Sequence, residues 1–509
     1  MAGMMTTYCA TPPMQPHPSE HKHHATPREE LIKRLREQLP ASAIISEVEA
    51  LMPFECDGLS AYKNPPWLVV LPDTVEQVQH CLRCCYELNV PIVARGAGTG
   101  LAGGALPLSN GVLLSLTKLN RILAVNPDSR LAIVQPGVRN IAISQAAAAF
   151  GLYYAPDPSS QIACTIGGNI AENAGGVHCL KYGLTTHNVL SVKIVTITGE
   201  LVELGSQGLD GPGYDLLAVV IGSEGLLGVV VEATVKLLPK PEHVCTLMAA
   251  FKRLENAAQA VSAIIASGLI PAGLEMMDKA SIKAAEAFIH AGYPDDAEAL
   301  LLCEFDGNHA QVVTETEAAM HIVTENQAFS IHIAEAEAER KQLWAGRKSA
   351  FPAIGRLSPD YYCMDGTIPR RHLAQVLQGI AELSAQYGLA VANVFHAGDG
   401  NLHPLILYNA DVPGELAKAE QLGSDILRLS IDAGGTISGE HGVGIEKINQ
   451  MCLQFSHAEL EQFHALKQVF DAKGLLNPGK AVPSLARCAE FGAMHVHQGR
   501  LKFQELPRF

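Results

Sequence analysis

Leu31, Leu35 and Leu39 recur at helical spacing behind Thr26, Pro27, Arg28 and Glu29, which predicts a helix entered through a capping box with proline at its first position. Residues 67–71 form a short apolar run and read as a buried strand. Asp73 or Thr74 caps a helix to about Leu88, and residues 91–95 read as a second strand, so the three make a βαβ unit. Further strands are predicted over residues 112–116 and 229–238, and Pro239 and Pro241 mark a boundary after the second. Beyond that boundary the pattern changes. Strands near 244–251 and 299–305 alternate with Ala-rich helices near 254–267, 281–291 and 334–349, and a last helix covers 457–472. Strands and helices in this order predict a second domain of the α+β class with an antiparallel sheet.

Residues 1–25, rich in Pro, His, Thr and Met, carry no periodicity and are predicted to be a mobile tail. His17, His21, His23 and His24 lie there, where a solvated tail and a weak metal-catching tract are both open readings. The most apolar stretch, 216–238, is interrupted by Glu224, Glu232 and several glycines, so no membrane-spanning helix is expected. No basic flank leads into an apolar block at the N-terminus, which argues against a secretory signal. The chain has 509 residues, 48% of them hydrophobic, enough for several cores. Lys+Arg 37 against Asp+Glu 52 leaves a net charge of −15, which excludes a surface built for nucleic acid or anionic lipid. The 12 cysteines fit a reducing cytoplasm. Cys81, Cys84 and Cys85 fall within the 74–88 helix without a second pair, so they are expected to pack rather than ligate.

Three small-residue regions interrupt the first domain. Arg95, Gly96, Ala97, Gly98, Thr99 and Gly100 lead into Gly103 and Gly104 and contain a formal G-x-G-x-x-G. A nicotinamide site would need a helix directly after the glycines and an acid about 20 residues on. Pro107 and Gly111 interrupt the chain instead, and no Asp or Glu occurs between Thr99 and Pro127. A loop whose backbone amides wrap a pyrophosphate still fits, since glycine lets the main chain approach a ligand closely. The second region, from Pro156, Asp157 and Ser159 to Gly167, Gly168, Asn173, Gly175 and Gly176, reads either as a ligand wall or as a Gly-rich corner between strands. The third carries Glu224, Gly228 and Val229.

Candidate chemistry lies in the second domain. His396 and His403 flank the turn signal Gly398-Asp399-Gly400, and a hairpin there would bring the two imidazoles together. Glu440 and His441 sit in a Gly-rich loop. Two imidazoles and a carboxylate would fill three positions on a divalent ion and leave one for substrate. Satisfied turn histidines are the competing reading. Arg347 is a candidate anchor for a substrate carboxylate, against a solvated helix face, and Lys348 is a weaker candidate of the same kind.

Together, the runs 95–104, 156–176, 222–228, 396–403, 438–447 and 477–480 resemble the vanillyl-alcohol-oxidase-type flavoproteins that oxidise D-2-hydroxy acids, over the chain from about Leu31 onward. Stretches 55–60, 344–348, 359–367 and 488–497 are similar to a branch whose members are FAD-linked subunits of bacterial hydroxy-acid oxidase complexes. The resemblance implies a two-part FAD-binding domain of the PCMH type over 26–240. An α+β cap domain over 241–485 would follow, its last part returning to the FAD domain, and 486–509 would form a tail. FAD would lie with its pyrophosphate at Arg95, Gly96, Ala97, Gly98, Thr99 and Gly100. Its ribityl chain and ring would lie near Pro156, Asp157, Ser159, Gly167, Gly168, Asn173 and Gly176, with Glu224, Gly228 and Val229 completing the pocket and Asn477 and Lys480 closing it. A divalent metal, expected to be zinc, would be held by His396, His403 and Glu440, with His441 as base and Arg347 on the substrate carboxylate. Relatives acting on hydroxy dicarboxylates carry a lysine where Cys363 falls, so a small monocarboxylate is expected, glycolate giving glyoxylate, with D-lactate next. No Cys spacing suits an iron–sulfur cluster. The resemblance also implies that the electrons leave through a separate iron–sulfur subunit and a second FAD-domain subunit, which would make the only membrane contact of a cytoplasmic chain. The alternatives are a stand-alone D-lactate dehydrogenase independent of nicotinamide and a non-catalytic flavin electron-transfer subunit.

Overall fold

The computed structural model describes residues 26–208, 211 and 213–484. The N-terminal tail with its histidines and the terminal segment with His495 and His497 lie outside these. The capping box forms as the sequence dictates: Thr26 Oγ1 accepts the Glu29 N–H, Glu29 answers on the Thr26 N–H at 2.8 Å, and the helix runs Pro27–Leu35. It packs on the helix Val75–Leu88, capped by Thr74 at one end and by a left-handed Asn89 at the other. Val78, Cys81, Leu82 and Cys85 are spaced i, i+3, i+4, i+7 along it. All four are buried against Leu68, Val70, Ile92, Val112 and Leu114, so these cysteines serve as small apolar side chains.

The first sheet has the strand order Ile44–Ile45, Leu68–Val70, Val112–Ser115, Ile92–Arg95, with the last three parallel. The predicted βαβ unit is therefore split: its two strands flank Val112–Ser115 instead of pairing. A second, antiparallel sheet follows in the order Ile122–Asn126, Leu131–Val134, Val229–Lys236, Val189–Val195, Leu201–Gly205. Its apolar residues pack against the helix Ile166–Glu172, so the second Gly-rich region is a helix start and not a corner between strands.

The cap is a seven-stranded sheet in the order Ala328–Ala334, His243–Phe251, Ala299–Gly307, Gly273–Asp278, Val391–Phe395, Pro404–Tyr408, Asp360–Cys363, antiparallel throughout. Both faces are covered. Leu247, Ala249 and Phe251 point to one layer of helices, which includes Leu254–Ala266, His309–Glu325 and Leu373–Tyr387. Met248 and Ala250 point to the other, with Lys279–Ile289 and Glu337–Lys348. The period of two sends alternate residues into different cores, so these strands are apolar at nearly every position. The helix expected from residue 334 starts later, at Glu337. Residues Ala328–Ala334, assigned no element from the sequence apart from Ala334, form an edge strand paired with His243–Phe251.

The cap is tied to the first domain at several points. The Ile92 N–H donates to Leu475 O and the Asn477 N–H to Ile92 O, both at 2.8 Å, so the end of the cap chain returns along the first sheet. His178 lies between Asp157 (Nδ1–Oδ2 2.9 Å) and Glu304 (Nε2–Oε1 3.1 Å), while Trp344 Nε1 donates to the other Glu304 oxygen at 2.6 Å. Burial lowers the His178 pKa, but Asp157 and Glu304 outweigh it and hold the group well above its usual 6.5. Both acids are held below their usual values, burial being outweighed by His178. A raised imidazole stabilises fully below the unfolded pKa and loses this contribution as pH rises through the folded one; lowered acids lose theirs on acidification. Comparing urea midpoints of wild type and His178→Gln across pH is expected to give the widest gap between about pH 4.5 and 6.5, shrinking at higher pH. A gap that widens steadily toward alkaline pH would contradict the charged bridge.

Candidate active site

A cavity of about 500 Å³ opens between the two domains. On one side it is lined by Arg95, Gly96, Ala97, Gly98, Thr99 and Gly100, by Ser159, Gly167 and Gly168, and by Glu224, Gly228 and Val229; on the other by Lys348, Phe351, His403, Glu440 and His441. Gly98 has φ +73°, and a Cβ there would lie 2.2 Å from the Arg95 guanidinium, which the loop folds over. At Gly100 a Cβ would stand in open space. The loop thus presents bare backbone to a wide cavity, and the residues present fit a pyrophosphate-bearing cofactor.

Six residues expected at the cofactor stand outside that lining. The Pro156 carbonyl accepts from Asn140 Nδ2 at 3.0 Å, and Asp157 is engaged by His178. Asn173 closes the helix Ile166–Glu172 in a left-handed conformation, with Oδ1 accepting the Thr186 N–H at 2.9 Å. Gly176 packs on the Asp157 carbonyl. Asn477 Nδ2 donates to Gly104 O (3.0 Å) and Glu224 O (2.7 Å), and Lys480 Nζ donates to Gly104 O (2.9 Å). These two brace the glycine loop from behind, and burial brings the Lys480 amine down to about 8. Glu224 lines the cavity, yet its oxygens accept the Val443 and Gly444 N–H groups at 2.7 Å each and so dock the cap loop on the first domain. Burial, together with the neighbouring Glu224 charge, raises the carboxyl of Glu172 well above the usual range, favouring its neutral form.

His396, His403, Glu440 and His441 do converge. The hairpin end beyond Val391–Phe395 brings the His396 and His403 rings to 5.2 Å, and Glu440 Oε1 lies 3.2 Å from His396 Nε2 and 2.9 Å from His403 Nε2. Asp365, fully buried, accepts the N–H groups of Gly439, Glu440 and His441 and the Ser438 hydroxyl (2.6 Å), holding the loop as a rigid turn. The other His396 nitrogen, Nδ1, lies 2.7 Å from Glu275 Oε1, and the Arg347 Nε donates to the second Glu275 oxygen at 2.8 Å. The His403 Nδ1 is buried with no hydrogen-bond partner.

The three ligand atoms lie within 4.8 Å of one another. A tetrahedral zinc site spaces its N and O ligands about 3.4 Å apart, so small shifts would admit the ion, and a carboxylate behind one ligating histidine is the usual support for a metal site. The donor set therefore fits a divalent cation. Without an ion, burial opposes charge on His396, but Glu275 and Glu440 prevail and raise it well above 6.5, while Glu440 is held well below its usual range by the two histidines despite burial.

His441 stacks on His403, centroids 4.9 Å apart and planes 7° apart, and its Nδ1 is buried without a partner. Burial lowers it to about 4, with the Lys447 charge adding to the effect and Asp365 opposing it.

Arg347 departs from expectation. It is 1% exposed, its Nη2 is 2.6 Å from Glu275, and it does not line the cavity, because the helix Glu337–Lys348 turns it into the cap core. The next residue, Lys348, faces the cavity mouth instead. Glu275 and Asp365, the two acids that position the cluster, were not singled out in the sequence. An acid inside the apolar run of Gly273–Asp278 was the available signal for the first.

Glycine loops on one wall of a deep cavity and a histidine–carboxylate cluster on the other define a flavin-dependent oxidoreductase with a separate substrate domain. The chain belongs to the FAD-linked oxidase family: residues 66–205 match its FAD binding domain and residues 240–481 its C-terminal domain. It is 62% identical to the glycolate oxidase subunit GlcD of Escherichia coli K12 over 95% of this chain and 97% of that protein. Identity is 39% to the glycolate oxidase subunit GlcD of Bacillus subtilis (85% and 93%) and 34% to a D-lactate dehydrogenase of Anaerostipes hadrus (89% and 97%). Among solved structures, p-cresol methylhydroxylase superposes with a TM-score of 0.77 at 17% identity, covering 90% of this chain and 98% of that one, which establishes the PCMH-type fold. No described helix is long and apolar enough to cross a membrane.

Proposed function

We propose that this chain is the substrate-oxidising subunit of a glycolate oxidase complex, converting glycolate to glyoxylate and accepting D-lactate as a second substrate. The observation that carries this reading is the position of His396, His403, Glu440 and His441 on the wall facing the glycine loops. FAD in the cavity supplies the acceptor for a hydride. A divalent cation held by His396, His403 and Glu440, zinc by its donor set, supplies the Lewis acidity that lowers a hydroxyl pKa by several units.

The chain's own residues do the rest. Lys348 draws the anionic carboxylate to the cavity mouth, a local attraction that the acidic chain as a whole lacks. Phe351 and Pro352 narrow the space beside it and favour a short side chain on the acid. His441, neutral at physiological pH, accepts the hydroxyl proton on the ring nitrogen that meets the cavity. The substrate loses one proton and one hydride, and its α-carbon becomes a carbonyl. Arg347 acts at one remove, holding Glu275 and through it the His396 ring. The likeness to proteins named as oxidase subunits supports assembly into a larger complex, in which we place an iron–sulfur subunit and a second FAD-domain subunit that make its membrane contact.

Anaerobic mixing of the purified flavoprotein with glycolate tests the reading: the flavin absorbance is expected to bleach, faster than with D-lactate. Chelation of the metal is expected to stop bleaching while the flavin stays bound. Much faster bleaching by D-lactate, with turnover by the chain alone, would point to the D-lactate dehydrogenase alternative favoured by the Anaerostipes relative. Lys348→Met is expected to raise KM for glycolate about tenfold to a hundredfold, the value of a hydrogen bond to a charged group, with little change in kcat. An unchanged KM would remove the lysine from carboxylate binding.

A further inference from the structure

A second cavity, of about 370 Å³, reaches the histidine–carboxylate cluster from the side away from the flavin loops. His396 and Glu440 lie on its floor, and the exposed His187 and Gly434 lie at its rim, so it runs from the surface to two of the three ligands. Glu440 borders both cavities, whereas His403 and His441 border only the first. The ligand cluster is thus the partition between two compartments.

The two compartments differ in their basic groups. The first cavity carries Arg95 and Lys348 beside the acids Glu172, Glu224 and Glu440. The second carries the acids Asp399 and Glu440, the histidines His187 and His396 and the thiol of Cys179, with no lysine or arginine. An anionic hydroxy acid has Lys348 to meet in the first compartment, whereas the second offers an incoming cation acids and imidazoles with no fixed cation to repel it. Oxygen donors stand along the second. Asp399 and Asn401 both line it from the turn between His396 and His403, Asp399 Oδ1 accepts the Asn401 N–H at 3.2 Å, and the Asn401 side-chain oxygen is buried with no partner, the residue being 5% exposed. A buried carbonyl oxygen without a donor is costly unless something occupies it for part of the time.

We propose that this second cavity is the passage through which a divalent cation reaches and leaves His396, His403 and Glu440 while FAD fills the first cavity, with Asp399 and Asn401 as its oxygen way-station. The proposal rests on the metal reading above and adds a route to it. Carboxylate and carbonyl oxygens replace the ion's hydration shell in stages, so it meets the two imidazoles partly stripped of water. Asp399 serves the passage and not the bound state, so it alters how fast the ion moves and not how tightly it is held.

The test uses the flavin-loaded protein, zinc alone and a chromogenic chelator that reports uptake and release, with bound zinc counted per chain. Asp399→Asn keeps an oxygen to accept the Asn401 N–H. Uptake and release are expected to slow together by about tenfold, the lower end of electrostatic steering, with zinc stoichiometry and equilibrium affinity unchanged. Asp399→Lys is expected to slow both further, the flavin spectrum serving as the check on folding. Unchanged rates in Asp399→Asn would overturn the proposal. So would a loss of affinity with uptake unaltered, which would make Asp399 a support of the bound ion, and so would zinc that enters only after the flavin is removed, which would put the route through the first cavity. If no divalent ion binds to the wild-type protein at all, the metal reading itself falls, an outcome the bound-zinc count separates from the others.

Discussion

His441→Ala is expected to leave the protein yellow and folded while slowing flavin reduction by glycolate about 10²- to 10⁴-fold, the contribution of a positioned general base. The imidazole is stacked on His403, its backbone N–H is fixed by Asp365 at 2.9 Å, and the cap loop that carries it is docked on Glu224. Its side chain donates to no neighbour that would collapse without it, so alanine removes the proton acceptor and leaves its supports in place. Single-turnover bleaching under anaerobic conditions reads the chemical step directly. Bleaching at the wild-type rate would end the assignment of His441 as base, whatever the steady-state rate did.

Arg347→Met is expected to destabilise the fold by about 3–5 kcal/mol, the cost of leaving one partner of a buried ion pair alone. Arg347 and Glu275 are each 1% exposed. Burial pushes the Glu275 carboxyl up, and His396 and Arg347 together pull it below its usual range. With the arginine gone, Glu275 holds the His396 ring less firmly, and metal affinity is expected to fall about tenfold to a hundredfold, as for other carboxylates behind ligating histidines. Adding Glu275→Gln to Arg347→Met is expected to recover part of the lost stability, since the unpaired charge is then removed. Urea unfolding measures the first effect and zinc titration the second. The result also decides between two roles for this residue: an arginine that anchored substrate would change KM for glycolate and leave the unfolding midpoint alone.

Much of the fold could be read along the chain because local chemistry and packing agree there. The capping box at Thr26 and the helix capped by Thr74 lie where side-chain periodicity puts them. Strands between two helical layers carry an apolar residue at almost every position, so Gly273–Asp278 offered no alternation to recognise. The edge strand Ala328–Ala334 formed because His243–Phe251 had an unpaired side, a fact about the sheet and not about the segment. Residue types and the family likeness both pointed to His396, His403 and Glu440 as one donor set, and the fold brings these residues together from a hairpin and a distant loop.

By itself the amino-acid order determined the kinds of chemistry available: glycines where backbone must meet a pyrophosphate, histidines and an acid with the donor atoms for a divalent ion, and an acidic balance unsuited to polyanions. Which neighbour of a pair faces the cavity was decided only in three dimensions. Arg347 and Lys348 are adjacent in the chain, but a helix turns successive residues about 100° apart, so one enters the core to meet Glu275 and the other reaches the cavity. Asn477 and Lys480 became braces behind the glycine loop, and the cluster of His396, His403 and Glu440 became a wall between two cavities. Distance through space and burial decide those roles, and neither is a property of residues taken in order.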